Sequence, residues 1–451
     1  MAATSKRSAV LRDTNLMRDV LSRHLRRGDG GEVDVRSCEV AYFHETPTRC
    51  LVHYDLVVRD PGTGRDSREL VSGMIDNESP AEQAARQIAR VAPAPAAHDL
   101  APFAPVPDLD LLLQVFPFDH RLPVLQRLMT ASAPQVASTI VTDLGPGDWQ
   151  PSGWSAEAVR YRVDQRAMVK ITMTADDRSS KARAERTVYA KIFRIGADGS
   201  RAAAVQQALW SRSANRPEAF AVARPIAYIE SAQTLLTAEV AGVNLRQVLA
   251  GDAPSSEVRR VARAVADLHQ IAPGDVAFGE RRRPARDETA RLGRIASMLR
   301  ADAPAAIPEI DAIVAAIEEG RRAAPVGLTH FDLKPGHILL DPARVTLLDF
   351  DKLTVADPLV DVANFLAFLG KERSDRATDG GEHDHVYHFA DEYLAHVPDA
   401  WREMLPSRYA MALLSEATGN RGLRGRAARG DRAARVAAGL DRARRALEGR
   451  F

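Results

Sequence analysis

The chain has 451 residues, enough for two or three domains, and its 45 % hydrophobic content supplies material for several cores. A formal net charge of +1 argues against a nucleic-acid partner held by bulk electrostatics. No apolar run reaches membrane-spanning length, the start MAATSKRSAV lacks an apolar signal core, and Cys38 and Cys50 make no disulfide framework, so a soluble cytoplasmic protein is expected.

Leu16, Val20, Leu21 and Leu25 set one apolar face on a helix over 14–27. Strand-like runs follow at 40–43, 50–58 and 70–75, the last two joined by the turn Pro61-Gly62-Thr63-Gly64. Pro80 opens a helix over 80–90. An Ala/Pro-rich link over 91–107 and an apolar run over 109–116 complete this part, and the polar, Gly- and Pro-containing stretch 131–153 reads as a linker.

The same order of elements then returns, with strands at 168–174 and 188–193, a helix at 202–210 and an apolar run at 235–240. Without gaps, Arg49, Val52, Val71 and Ile75 match Arg166, Val169, Val188 and Ile192 at an offset of 117. Leu111-Leu112 parallels Leu235-Leu236 at a shifted offset. Repeated order at fixed spacing suggests a duplication. At the position of Lys191 the first copy carries Met74.

Residues 241–451 read mostly helical. Ser255 or Ser256 caps a helix with Val258, Val261, Val265 and Leu268 on one face, and Pro273 stops it. Further helices are expected at 287–301, 308–322, 359–369, 384–395 and 405–417, and the Arg/Ala-rich tail 421–450 as a solvated helix, with a polyanion-binding tail as the alternative. His383, His385 and His388, near Glu382 and Asp384, read as an acidic-histidine surface run rather than a zinc site. The expected domains are therefore 1–130, 131–240 and 241–451.

The chemistry concentrates in GLTHFDLKPGHILLDPARVTLLDFDKLTVADPLVDVANFLAFL, residues 327–369. Two short strands, 338–340 and 345–348, bring Asp332 and Asp349 to one end of a hairpin. Phosphoryl transfer needs such a pair: one carboxylate for the attacking hydroxyl, one for the metal on the phosphates.

HFDLKPGH followed by LLDFD, Asp357-Pro358 and Asp361-Val-Ala363 resembles the aminoglycoside phosphotransferase and choline kinase family. The resemblance implies an α+β, bilobal protein-kinase-like fold: a small β lobe and a helical lobe, here preceded by an extra α+β domain. It implies an ATP-dependent enzyme using Mg²⁺ or Mn²⁺ and a small-molecule hydroxyl acceptor, with no nucleic acid or membrane partner. Asp332 would be the base, His330 and Asp361 would hold the loop, Lys334 would touch the γ-phosphate, and Asp349 would hold the metal. Lys191 in VYAKIF would clamp the α- and β-phosphates. Glu239 and Val240 would sit at the hinge, where backbone over 237–241 meets adenine.

Three departures stand out. His337 replaces the family's metal-binding Asn, and imidazole prefers softer ions than Mg²⁺. The turn RVDQRAM carries no glycine where kinases place a Gly-rich loop. The helix after Lys191 offers Gln206 and Gln207 rather than a Glu partner. A nucleotide-binding pseudokinase is therefore the alternative. A protein kinase is disfavoured, because too few residues separate Asp349 from Leu359 for an activation segment.

Overall fold

The computed structural model describes residues 9–46, 48–90, 92, 99–216, 220–251, 254–276, 287–321, 324–374, 385–419 and 432–450. The chain divides into two compact units, 1–199 with 226–236, and 200–225 with 237–451. The expected boundary at 130 falls inside the first unit.

The first unit holds two five-stranded sheets. Helix α1 (Thr14–His24) precedes β1 (Asp34–Glu45), β2 (Arg49–Arg59) and β3 (Asp66–Asp76). Then come α2 (Ala81–Ile88), β4 (Phe103–Val106) and β5 (Leu111–Val115), in the sheet order β1-β2-β3-β5-β4. Helix α1 buries Met17, Val20 and Leu21, while Leu16 stays 42 % exposed. Val20, Leu21 and Leu25 thus face inward as expected, and Met17 takes the place expected for Leu16, as the i, i+3, i+4 spacing from Met17 dictates. The 91–107 link is not plain linker: β4 lies in it, an edge strand that tolerates Pro105.

Helices α3 (Pro123–Met129) and α4 (Pro134–Asp143) come next. The expected linker at 131–153 therefore holds α4 and the start of the following strand. Pro134 starts α4, and Val136 and Ile140, four apart, bury one face. The second sheet takes β6 (Trp149–Arg162), β7 (Arg166–Asp177), β8 (Arg183–Phe193), β10 (Pro225–Ile229) and β11 (Thr234–Ala238), ordered β10-β11-β8-β7-β6. In β7, Ala167, Val169, Ile171, Met173 and Ala175 alternate inward against Leu125, Leu128, Val136 and Ile140.

The two sheets share connectivity and register. Cys50 faces Ile75, Leu51 faces Met74 and Val52 faces Gly73; 117 residues on, Ala167 faces Ile192, Met168 faces Lys191 and Val169 faces Ala190. The first-strand bulge opposite Val57 and Val58 recurs opposite Thr174 and Ala175. Each sheet closes with a 3₁₀ turn ending in a left-handed residue, Asp110 or Gln233, before its last strand.

The second unit begins with α5 (Gly199–Asn215, from its second residue) and β9 (Ala221–Val222), then β12 (Val243–Asn244), α6 (Leu245–Ala250) and α7 (Ser255–His269). The residue preceding α7 is Pro254, with no side-chain cap, so neither Ser255 nor Ser256 caps it. Helices α8 (Glu288–Asp302) and α9 (Ile307–Gly320) lead to β13 (Gly327–Thr329), β14 (Ile338–Leu340), β15 (Val345–Leu347) and β16 (Thr354–Ala356). Helices α10 (Leu359–Ser374), α11 (His385–Ala395), α12 (Ala400–Ala417) and α13 (Arg432–Leu447) follow. His385 and His388 lie on α11; His383, Glu382 and Asp384 fall outside the described residues.

The tail helix corrects an expectation. Helix α13 is not solvated: Val436, Leu440, Ala443 and Ala446 are buried in the helical core, and Gly439 lets the helix approach Ala417. Arginines on its outer face masked this stripe. Leu440→Ala should lower stability by about 2–4 kcal/mol, read as a shifted urea or thermal midpoint; a solvated helix would leave the midpoint in place.

Candidate active site

Two strand ends carry the polar cluster. β13 pairs antiparallel with β16, and β14 with β15. Leaving β13, the chain places His330, Phe331 and Asp332; leaving β15, it reaches Asp349. Phe331 and Asp349 both adopt left-handed backbone conformations, at φ 57° and 65°. Such angles cost free energy for non-glycine residues and persist where surroundings impose them.

For Phe331 the imposing group is Asp361, in the first turn of α10. Its Oδ1 accepts the Phe331 amide at 2.8 Å, and its Oδ2 accepts the His330 amide. His330 Nε2 lies 2.9 Å from the Leu348 carbonyl, which fixes it as the protonated nitrogen. Nδ1 is then free to accept the Asp332 amide at 3.3 Å. The first loop is thereby tied to both α10 and the chain leaving β15.

Asp332 faces two lysines. Lys334 Nζ lies 2.9 Å from Oδ2 and Lys352 Nζ 3.2 Å from Oδ1. Burial pushes its carboxyl up, but the Lys334 hydrogen bond and both ammonium charges outweigh that and hold it down at about 2. A depressed carboxylate pKa contributes stability above the ordinary value, lost as pH falls toward about 2. Asp332 is thus ionised at neutral pH.

His337 is buried between the carboxylates. Its Nε2 lies 3.3 Å from Asp349 Oδ2 and its Nδ1 3.8 Å from Asp332 Oδ2. Burial lowers its pKa to about 3, against the pull of Asp349. It is neutral, and both buried ring nitrogens lack a hydrogen-bond partner. Asp332, His337 and Asp349 offer donor atoms within 4.8 Å of one another. An orphaned imidazole between two carboxylates fits a divalent cation.

Of the expected residues, the structure brings together His330, Asp332, Lys334, His337 and Asp349. Lys191 belongs to the first unit, on β8 opposite Met168. It is 8 % exposed, and its Nζ lies 5.7 Å from the Phe193 ring centroid. Ala190 and Ile192 beside it point into the sheet's core, so Lys191 faces the other side. Glu239 is exposed and Val240 half-buried in the segment after β11. Gln206 Nε2 donates to the Ala223 carbonyl at 2.7 Å.

Sequence reasoning missed Lys352, the residue directly after the conspicuous DFD. It also missed His269, at the end of α7, whose Nδ1 lies 2.8 Å from the Tyr393 hydroxyl and Nε2 3.4 Å from Asp361 Oδ2. Arg201, 7 % exposed, was missed too: Nη1 and Nη2 donate to the Asp351 and Leu353 carbonyls at 3.3 and 2.6 Å. Nothing in the local pattern marks the last two, since long-range contacts make them polar core. Gly327 is required where it stands, because a Cβ there would meet the His269 carbonyl oxygen at 2.7 Å.

A small β lobe followed by a helical half with two Asp-bearing strand ends defines a protein-kinase-like phosphotransferase. Residues 151–406 match the model of the phosphotransferase enzyme family, more than half of the chain, and the chain belongs to that family. It is a small-molecule kinase. The match begins within β6, so the first sheet lies outside it. No curated protein matches. Similar solved structures include a putative aminoglycoside phosphotransferase from Ralstonia eutropha at 14 % identity and TM-score 0.45, covering 69 % of this chain and 98 % of that one. A choline/ethanolamine kinase family protein from Mesorhizobium loti shows 15 % identity and TM-score 0.43, covering 72 % and 94 %. A macrolide 2'-phosphotransferase from Brachybacterium faecium shows 18 % and 0.41, covering 69 % and 98 %. No described helix is long and apolar enough to cross a membrane.

Removing Asp361 tests the frame. Asp361→Ala leaves the buried His330 amide and its neighbour without acceptors, at about 1–3 kcal/mol each. The expected result is a clearly lowered melting midpoint; an unchanged midpoint would show that the two amides do not depend on it.

Proposed function

We propose that the protein transfers the γ-phosphate of ATP to a hydroxyl of a small molecule, with Mg²⁺ or Mn²⁺. The observation that carries this reading is the ionised Asp332 beside the orphaned His337 and Asp349. Asp332 accepts the hydrogen of the acceptor hydroxyl, whose oxygen forms a bond to Pγ as the bond from Pγ to the β-bridging oxygen breaks. Asp349 and His337 would hold the cation, which when bound neutralises charge on the phosphate oxygens. Lys334 and Lys352 orient the Asp332 carboxylate and offer positive charge to the transferring group. His330 positions the loop. Lys191 would pair with the α- and β-phosphates, and backbone near Glu239 and Val240 with adenine. The division into 1–130, 131–240 and 241–451 remains part of the proposal, as does a cytoplasmic setting. Acceptors resembling aminoglycosides, sugars or amino alcohols fit the class.

Nucleotide binding without transfer is the second reading. His337 at the Asn position, two lysines on Asp332 and a turn without glycine favour it. One assay separates the two: ATP turnover against a metabolite panel in both metals. Asp332→Asn should abolish transfer, more than 100-fold by the usual size of general-base effects, while nucleotide affinity holds. Asp349→Asn should weaken metal-nucleotide binding as well. Normal turnover by both variants would remove the kinase assignment from these residues.

His337 gives a metal-specific test. As a ligand it should favour Mn²⁺ over Mg²⁺ relative to oxygen-only sites, and His337→Asn should move the preference back toward Mg²⁺. An identical metal profile in the variant would exclude a direct ligand role.

A further inference from the structure

The β6–β7 turn is buried where hairpin turns ordinarily face water. Val163 is 1 % exposed and Asp164 2 %. Its surroundings come from the first sheet and the segment that follows it. Val163 lies in an apolar cluster with Leu51, Met74, Leu112 and Phe118, closed by α2. Asp164 Oδ2 takes the Arg49 guanidinium at 2.6 Å, and Arg49 also reaches Asp76 at 3.0 Å. The Asp164 amide donates to Asp119 Oδ2 at 2.8 Å, and the Tyr161 hydroxyl to the same oxygen at 3.0 Å. Asp164 holds φ 63°, a strained value that these contacts impose.

The apolar side of this contact has a counterpart in the second sheet. At the 117-residue offset, Leu51 and Met74 stand where Met168 and Lys191 stand. The face that carries the lysine in one sheet therefore receives Val163 in the other. The grouping of Asp119, His120 and Asp164 has the composition of a metal site. Arg49 already supplies the positive charge there, however, and Asp119 accepts three hydrogen bonds, from Arg121, Tyr161 and Asp164.

We infer that the N-terminal sheet is a degenerate repeat of the β lobe, with Met74 for the lysine, and that it clamps the β6–β7 turn. Arg49 and Asp119 are the positioning residues. The inference rests on the proposed function: in protein kinases the corresponding turn covers the nucleotide phosphates. Glycine-rich loops lose freedom when they close on a ligand. A turn held beforehand avoids that entropic cost at binding, which favours affinity. Without glycine in the turn, the clamp replaces local flexibility with an external hold.

The test uses the full chain. Arg49→Gln, Asp164→Asn, the double variant and Arg49→Lys are titrated calorimetrically with a non-hydrolysable ATP analogue and Mg²⁺. Circular dichroism checks folding, and hydrogen exchange reads the amides of 162–166. Each neutral single variant should bind the analogue roughly ten-fold more weakly, the size of one modest coupling term. The double variant should be no weaker than either single, Arg49→Lys should recover part of the loss, and exchange at the turn should speed up. Folded variants that bind as wild type does, or single effects that simply multiply in the double variant, would overturn the clamp. A wild type that binds no nucleotide would overturn the proposed function alone; the clamp would then stand or fall on exchange at 162–166, being overturned if Arg49→Gln leaves those amides as slow as in wild type.

Discussion

One buried carboxylate holds the polar cluster at the two strand ends in place. Asp361 accepts two consecutive backbone amides, of His330 and Phe331, and Phe331 can keep its left-handed backbone because of them. That kink turns the chain leaving β13 so that Asp332 follows at a fixed place. His330 then bonds the Leu348 carbonyl, beside Asp349. Both loops thus hang on one interaction, itself backed by His269 and Tyr393. A lost hydrogen bond here would be paid in geometry as well as free energy.

Charge shapes the same region. An Asp between two lysines is held ionised, and an imidazole between two carboxylates is held neutral by burial. The two effects have opposite origins: ion pairing dominates the first and desolvation the second. A neutral imidazole has no charge with which to repel a cation, and His337 keeps a lone pair for one. Under the proposed function, exchanging the family's amide for imidazole changes ligand softness without changing the charge of the site.

Much of this was legible in the sequence because the residues lie close together in it. Asp332, His337, Asp349 and Asp361 fall within thirty residues, with recognisable strands between. The hairpin strands of both sheets showed through their apolar runs. What stayed hidden had physical reasons. β6 is half-buried along most of its length, so its pattern lacks strong alternation. α4 hid behind Gly/Pro neighbours, and α13 behind arginines that flank a narrow apolar stripe. His269, Tyr393 and Arg201 act across long sequence separations, which no local pattern records. The four matched positions at offset 117 were few, whereas the shared register and strand order are visible in backbone pairing alone.

The placement of residues 200–225 has a mechanical consequence. This segment lies in sequence between strands of the second sheet, yet it belongs to the other unit, where β9 pairs in parallel with β15. The main chain therefore passes between units three times, after 199, 225 and 236. A cut at any one of these places cannot yield two complete halves: a fragment starting at 237 would lack α5 and the β9 partner of the strand that leads to Asp349. Neither unit is a bead on a string. Their folding should be cooperative through covalent interleaving, and recombination with relatives would have to exchange both segments together to preserve that strand pairing.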